Sequence, residues 1–599
     1  MSEERSALLD DWPQGGLGKS RRGGGLRGSW IASVVAVGLV FLIVLGVRLS
    51  FQQTDGLGGW YKVIPPLVAI ATALITGKLY LSLISGVISG GLLSGAGSYE
   101  EFFSWLGSGF VRSGEFVTHT VYTGQGDGWE RFETGNLKVM LFIALLMAII
   151  NIMIVSGGLQ GIAGRLLKRA KSARSTRMAA MISGLVLFID DYANALIVGP
   201  TMRPLTDRRK ISREKLAFLV DATAAPIAGI ALVSTWVGFE VSQLDNPALG
   251  IGLDGFAVLL NSLGFRFYCF GMIAFVFWNC WTGADFGPMA SAERRARAGK
   301  ILADDAVPMT SKSMNAAAAH AKARIRASVA IVPMLVLLGV FLGQFWLGAQ
   351  GRGVLARDPA AIVRLSGWTA AMKGVSSSTL LAWAAGAGFF TAVTMALAVS
   401  RIPVLSLLKA IVVGLRSALM PLTVLVLAWS LKNACDDLET GEFLAGVLAD
   451  SMPPILFPGL VFVTAAGVSF ATGTSYGTMS ILIPTAVPVA MALEGGYGLI
   501  TMISIGAILD GAIFGDHCSP ISDTTIMSSI GSSCDHVHHV RTQLPYCLVV
   551  AALALSLGYL PAALGVSPWI GIAAGAGASG LLLGLVWVFG RSKDFPDGA

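Results

Sequence analysis

Two adjacent carboxylates, Asp190 and Asp191, interrupt an apolar run between Leu185-Val186-Leu187-Phe188-Ile189 and Ala195-Leu196-Ile197-Val198. At membrane depth an ionisable side chain costs at least ~2.5–3.5 kcal/mol on insertion scales, so its presence there marks function by default. Two neighbouring carboxylates cannot easily both stay charged in a low dielectric without a cation. Sodium could balance them; without it, protons would. Competition of the two for one carboxylate pair is the simplest form of cation/proton exchange. A structural salt bridge or an interfacial pair is the plainer alternative.

A second polar cluster, Thr472-Gly473-Thr474-Ser475-Tyr476-Gly477-Thr478, has no charge but many hydroxyls and two glycines. Hard cations take carboxylate, hydroxyl and freed backbone carbonyl oxygens, and helix-breaking glycines free such carbonyls. Asp190, Asp191, Thr474 and Ser475 are therefore the candidate sodium ligands, with ordinary small-residue helix packing as the alternative.

Two further stretches are interrupted in the same way. Asp221-Ala222-Thr223-Ala224-Ala225-Pro226 leads to Ser234-Thr235-Trp236. Asp510-Gly511 leads through Gly515-Asp516-His517-Cys518-Ser519-Pro520-Ile521-Ser522-Asp523 to Thr524-Thr525. A broken helix presenting both half-helix ends to a midplane ligand needs this kind of sequence, although the second could also be a cytoplasmic loop. Asp516 and His517 could relay protons. Cys534-Asp535-His536-Val537-His538-His539 has the composition of a metal site without a zinc spacing.

These segments pair up as diverged copies. Laying Tyr192 over Tyr476 brings Ile197 onto Ile481, Pro200 onto Pro484 and Thr201 onto Thr485. Laying Pro226 over Pro520 brings Ile227 onto Ile521 and Ser234 onto Ser528. Duplicated apolar units broken by Gly, Pro and polar residues point to a secondary transporter with its site at the repeat interface.

The elements that must position these residues are membrane helices. The 599 residues are 54% hydrophobic and 13% charged, with a mean hydropathy of +0.69, against about 25% charged in soluble domains. Continuous apolar windows recur from Trp30 to Gly590, so helices rather than a barrel span the bilayer. The net charge of +7 comes from basic residues in short loops, the positive-inside pattern, and not from a nucleic-acid surface. The six cysteines show no framework spacing.

The expected organisation follows from charge bias. Residues 1–29 are a disordered cytoplasmic N-terminus, and 30–136 hold N-terminal helices and an external loop. Residues 137–285 form the first repeat core, with a hairpin at 178–202 and a broken helix at 216–241. A basic cytoplasmic loop spans 286–327, linking helices 328–400, and the second repeat core 404–530, with a hairpin at 455–493 and a broken helix at 501–526. Helices at 544–590 close the chain. The apolar stretch 178–202 is flanked on both sides by Arg and Lys, and its 25 residues are too few for two crossings. A re-entrant hairpin with its tip near Asp190 fits. Its copy opens from the other side, so the expected fold is an all-α polytopic membrane protein of inverted repeats, with two re-entrant hairpins and two broken transmembrane helices.

The blocks FIDDYANALIVGP, PLTDRRKISREKLAFLVDATAAP, STW, FATGTSYGTMSILIP and FGDHCSPISDTTIMSS, followed by HVRTQLPY, resemble the signature blocks of the NhaC-type sodium/proton antiporter family of the ion transporter superfamily. They run from about Gly157 to Pro545. The resemblance implies a secondary active transporter of a prokaryotic cytoplasmic membrane, N-terminus inside, homodimeric, exchanging Na+ for H+ by alternating access. The implied site has Asp190 and Asp191 helped by Asn194, Thr472, Thr474, Ser475 and Thr478. Asp510, Asp516, His517, Ser519, Ser522, Asp523 and Thr524 face them, with Asp221, Thr223, Ser234 and Thr235 as repeat partners. No cofactor is expected beyond the transported ions, and neither nucleic acid nor an enzymatic role. Relatives that carry small carboxylates or amino acids with sodium or protons supply the rival reading. The small residues Ile227-Ala228-Gly229-Ile230-Ala231 depart from the family's usual wording, which would reshape a substrate pocket.

Overall fold

The computed structural model describes residues 59–594, except 77–78, 95–101, 125–130, 168–169, 246–248, 309–318, 365–366, 368–369, 372–375, 450–451 and 521. The expected N-terminal tail and the helix from Trp30 lie outside these residues. The described chain is helical, and its sole β pairing among those residues is an isolated bridge between Tyr122 and Phe132. Among the described residues, ten helices are long and apolar enough to cross a membrane. The burial pattern suits lipid: Trp383, Phe390 and Phe589 are exposed, while Glu240, Arg266 and Asp510 are fully buried. Water would favour the reverse.

The first of the paired units begins after α1 (Thr134–Val155). Helix α2 (Ala173–Val186) opens on a capping box, where Ser172 and Ser175 bond each other's backbone N–H. The helix stops at Leu187, and α3 (Asp191–Arg208) restarts at the acidic pair. Helix α4 (Arg213–Asp221) follows, then the single turn α5 (Ala225–Ala228) and, after a non-helical stretch, α6 (Thr235–Leu244). Helix α7 (Phe267–Thr282) crosses behind them.

The copy repeats this plan. Helix α8 (Phe457–Thr472) ends on left-handed Gly473, and α9 (Ser475–Glu494) restarts one residue later. Helix α10 (Leu499–Cys518) breaks at Ser519-Pro520, and α11 (Asp523–Ser532) resumes before α12 (His536–Leu553). Asp191 and Ser475, superposed by the Tyr192/Tyr476 register, are the first residues of α3 and α9. The downstream register is six residues off in structural terms. Ser234 caps α6 by accepting from Val237 N, and the residue doing so for α11 is Ser522, not Ser528. Prolines in the two breaks thus do not mark equivalent places: Pro226 sits inside a helical turn and Pro520 between helices.

Element lengths refine the crossing argument. Helix α2 has 14 residues, about 21 Å of rise against a hydrocarbon core of about 30 Å. In the copy, α8 and α9 have 16 and 20 residues, and each belongs to a segment long enough for a full crossing. The length limit that shortens the first hairpin does not bind the second. Two expected loops are also partly helical. Phe102–Thr118 lies in the stretch read as external, anchored by buried Trp105, whose Nε1 donates to Leu92 O at 3.0 Å. Gly287–Arg297 lies in the stretch read as a basic loop, where Glu293 accepts from Ser212 N and Oγ at 2.8 and 2.7 Å.

The two units interlock across each other. Helix α3 packs on α11 where Gly199 meets Gly531: a Cβ at Gly199 would stand 2.5 Å from the Gly531 carbonyl carbon, and one at Gly531 would strike the Ala195 carbonyl. Reciprocally, α6 packs on α9, with Phe239 stacked on Tyr476 at 4.2 Å and Trp236 edge-on to it at 5.1 Å. Within the copy, Gly511 and Gly515 admit α8 against α10, each facing α8 backbone at contact distance. Overpacking such a crossing costs about 1–3 kcal/mol. Gly531→Ala is therefore expected to lower the thermal unfolding temperature of purified protein, whereas Gly575→Ala, with open space around it, leaves it unchanged.

Candidate functional site

The acidic pair sits where three helix N-termini meet. Asp190 and Asp191 are 3% and 4% exposed. Asp190 Oδ2 accepts from Thr235 Oγ1 at 3.2 Å, and Thr235 N donates to Ile189 O at 3.0 Å, so the start of α6 is held against the break before α3. Asp191 Oδ1 accepts from Tyr192 N at 3.0 Å. Tyr476, the second residue of α9, contacts Trp236, the second residue of α6, and stands within electrostatic reach of both carboxylates. Each helix N-terminus carries about half a positive charge. Oriented backbone at these helix starts therefore opposes the two carboxylates.

Asn194 braces this break. Its Nδ2 donates to Gly184 O at 2.9 Å and Thr223 O at 2.8 Å, joining α2, α3 and the break after α4. Its Oδ1 is buried with no hydrogen-bond partner among the described residues, an acceptor available to a donor or a cation. Gly184 has no room for a Cβ beside Thr223. Ser234 Oγ donates to Ala228 O at 2.8 Å and caps α6.

In the copy the partners exchange roles. Ser475 Oγ, at the start of α9, donates to Asp516 Oδ2 at 2.9 Å and stands 3.1 Å from Ala512 O. The first unit puts its carboxylate on the hairpin and its hydroxyl on the broken helix; the second does the reverse. Around this bond, Thr478 Oγ1 donates to Thr474 O at 3.0 Å, Thr472 Oγ1 to Ser469 O at 3.4 Å, and Ser519 Oγ to Phe470 O at 2.6 Å. Ser522 and Thr524 hydroxyls pair at 2.9 Å. Asp523 opens α11, and its side chain lies outside the described atoms.

Three expected site residues fall elsewhere. Asp221 and His517 form a second buried cluster. Asp221 accepts from Gln543 Nε2 at 2.9 Å and Ser528 Oγ at 3.2 Å, with His539 Nε2 at 3.8 Å and His517 Nε2 at 4.0 Å. His517 Nδ1 faces Tyr268 OH at 2.9 Å. Asp510 is enclosed by structural donors: Arg266 Nε at 3.0 Å, Tyr268 N at 2.6 Å and Tyr559 OH at 2.8 Å. Arg266 also reaches Glu240 Oε1 at 3.3 Å. The Ile227–Ala231 stretch serves this network, since a Cβ on Gly229 would stand 2.7 Å from Arg266 Nη2. Its smallness admits the guanidinium, and Gly229, Ile230 and Ala231 also line a small apolar cavity with Phe256, Leu259 and Leu263.

The Cys534–His539 run points in several directions. His536 meets Ser529 and Pro520 O, His538 faces Glu214 and Asp305, and His539 faces Asp221. Among the described residues no group of three His, Cys, Asp or Glu side chains is arranged to hold a metal ion. Asp535 caps α12; burial opposes its charge, but the backbone N–H groups of His538 and Val307 hold its carboxyl below the ordinary range.

Sequence reasoning missed Glu240 and Arg266, and it quoted Trp236, Gln543 and His539 within longer motifs without placing them in the site. The signal for the first two was present: a lone Glu in Val237-Gly238-Phe239-Glu240-Val241 and a lone Arg in Gly264-Phe265-Arg266-Phe267. Removing one partner of a buried ion pair costs about 3–5 kcal/mol. Arg266→Met is accordingly expected to destabilise the purified protein severely, and Arg266→Met/Asp510→Asn to recover part of that loss in the same thermal unfolding assay.

Comparison with known proteins comes to the same class. The model of the Na+/H+ antiporter family matches residues 227–562, over half of the chain, beginning after the first acidic pair. An uncharacterized protein of Haemophilus influenzae is 31% identical over 89% of this chain and 97% of its own length. A malate-2H+/Na+-lactate antiporter of Bacillus subtilis is 32% identical over 25% of this chain and 32% of its own. An arginine/ornithine antiporter of Halobacterium salinarum is 36% identical over 18% and 24%. The YdaH transporter structure from Alcanivorax borkumensis aligns with a TM-score of 0.41 at 14% identity, over 73% of this chain and 87% of that one.

Proposed function

We propose that this chain, which belongs to the Na+/H+ antiporter family, exchanges sodium for protons at the Asp190–Asp191 pair. The observation that carries this reading is the burial of two adjacent carboxylates at three converging helix N-termini. Three half-charges give about +1.5 against −2, leaving about −0.5 when both carboxylates are ionised. One monovalent cation, or one proton, reverses that small residue to about +0.5. Either suffices and both together are excessive, which is the condition for exchange rather than co-binding.

In this reading Asp190 and Asp191 carry the sodium or the proton, with Asn194 Oδ1 and the hydroxyls of Thr474, Ser475 and Thr478 completing an oxygen set. Asp516, Ser519, Ser522, Asp523 and Thr524 line the opposite side, with Ser234 and Thr235 as repeat partners. The hairpins are re-entrant and the units inverted, so that motion of the half-helices opens the site alternately to each side. The protein works in a prokaryotic cytoplasmic membrane, N-terminus inside, as a homodimer.

A second reading is a sodium- or proton-coupled carrier of a small carboxylate or amino acid. It is favoured by two partial relatives named for malate and lactate and for arginine and ornithine. The two readings separate in liposomes holding purified protein, with radiolabelled sodium uptake driven by an outward proton gradient. Sodium/proton exchange predicts robust uptake that falls at least about tenfold in Asp190→Asn and Asp191→Asn, the scale of losing an ion's charged partner. Uptake that begins only on adding a carboxylate or amino acid would establish the carrier instead.

A further inference from the structure

Apart from the acidic pair, the most unusual chemistry in the molecule is the trio Glu240–Arg266–Asp510. All three side chains are fully buried. They come from α6, from the residue preceding α7, and from the middle of α10, so the trio joins the broken helices of the two units. One guanidinium faces two carboxylates, and among the described residues the other titratable groups around it are the Tyr559 hydroxyl on Asp510, the Cys269 thiol 3.9 Å from Arg266 Nη2, and Tyr476 towards Glu240. None of these carries a positive charge. If both carboxylates were ionised, the trio would hold an uncompensated negative charge in the interior, where such a charge is costly.

The donors are divided unequally. Asp510 receives hydrogen bonds on both oxygens, from Arg266 Nε, Tyr268 N and Tyr559 OH. Both oxygens of Asp510 thus have their hydrogen-bond partners. Glu240 receives one long bond, 3.3 Å from Arg266 Nη1, on Oε1. Its Oε2 is buried with no hydrogen-bond partner among the described residues. A bare anionic oxygen costs far more there than a bare hydroxyl. Arg266 and Asp510 therefore form the neutral pair, and Glu240 is the member left to be neutralised.

We propose that Glu240 is a second proton-carrying site, loaded in the conformation described here. The site takes a proton rather than an organic ligand, because the space beside Arg266 is already too tight for one more carbon: a Cβ added at Gly229 would stand 2.7 Å from Arg266 Nη2. Its place on α6 matters. Thr235, which holds Asp190, lies five residues earlier on the same helix, about 7.5 Å along the axis. Unloading Glu240 leaves a net negative charge in the trio, on the same helix that holds Asp190 through Thr235. The proposal concerns protonation in this conformation and stands whether the chain moves sodium or an organic solute.

The test is infrared spectroscopy of the full chain in lipid vesicles near neutral pH, following the stretching band of protonated carboxyl groups. Glu240→Gln, which mimics the neutral acid in shape, should fold and lose one carboxyl's worth of that band. Glu240→Asp should keep the intensity and shift the band. Undiminished intensity in folded Glu240→Gln would overturn the proposal. If that variant does not fold, Glu240→Asp decides alone: a shifted band supports the assignment and an unshifted one overturns it.

Discussion

Carboxylates in a low-dielectric interior need opposing charge, and this protein supplies much of it from its own backbone. Around Asp190 and Asp191 the counter-charge comes from helix starts. That choice requires helices to stop and restart inside the protein, at Leu187–Asp190, at Gly473-Thr474 and in the stretch before Ser234. Every such break exposes backbone groups that lipid cannot satisfy. The serine and threonine caps and the Asn194 brace exist to meet that demand.

An ion pair with lysine or arginine neutralises a buried carboxylate permanently. Helix ends give a partial and diffuse compensation, which leaves the pair poised within about one charge of balance. Where permanent neutralisation is wanted the molecule uses it, as between Arg266 and Asp510 and between Lys215 and Asp285. The contrast separates holding from exchanging. The interlocked packing then connects the two: α3 rides on α11 through facing glycines, and α6 rides on α9 through aromatic rings. Glycine crossings with no spare space transmit a displacement, because neither helix can yield to the other.

Much of the local architecture could be read from the sequence. The helix stop at Asp190, the glycine-led stop at Gly473 and the capping serines Ser234 and Ser522 depend on residues near in the chain, where propensity and capping rules operate. The duplicated register around Tyr192 and Tyr476 also located equivalent helix starts. Matching the downstream breaks by their prolines failed, because a proline can open a helical turn or end a helix. The partnerships were less legible. Arg266 and Asp510 are 244 residues apart, and Gln543 lies 322 residues from Asp221. Lone charges in apolar runs announce that a partner exists without naming it. The amphipathic helix at Phe102–Thr118 was hidden by the polar residues on either side of it, which dominate the stretch from Ser98 to Asn136.

The central claim is that one buried acidic pair serves either a sodium ion or a proton. Sodium affinity of the purified protein, measured across pH in potassium-free detergent solution, tests it most directly. Single-site competition predicts that the apparent dissociation constant rises about tenfold for each unit of acidification below the pair's protonation midpoint, with one proton released per sodium bound. A sodium affinity that is flat with pH, with no proton release, would contradict the account.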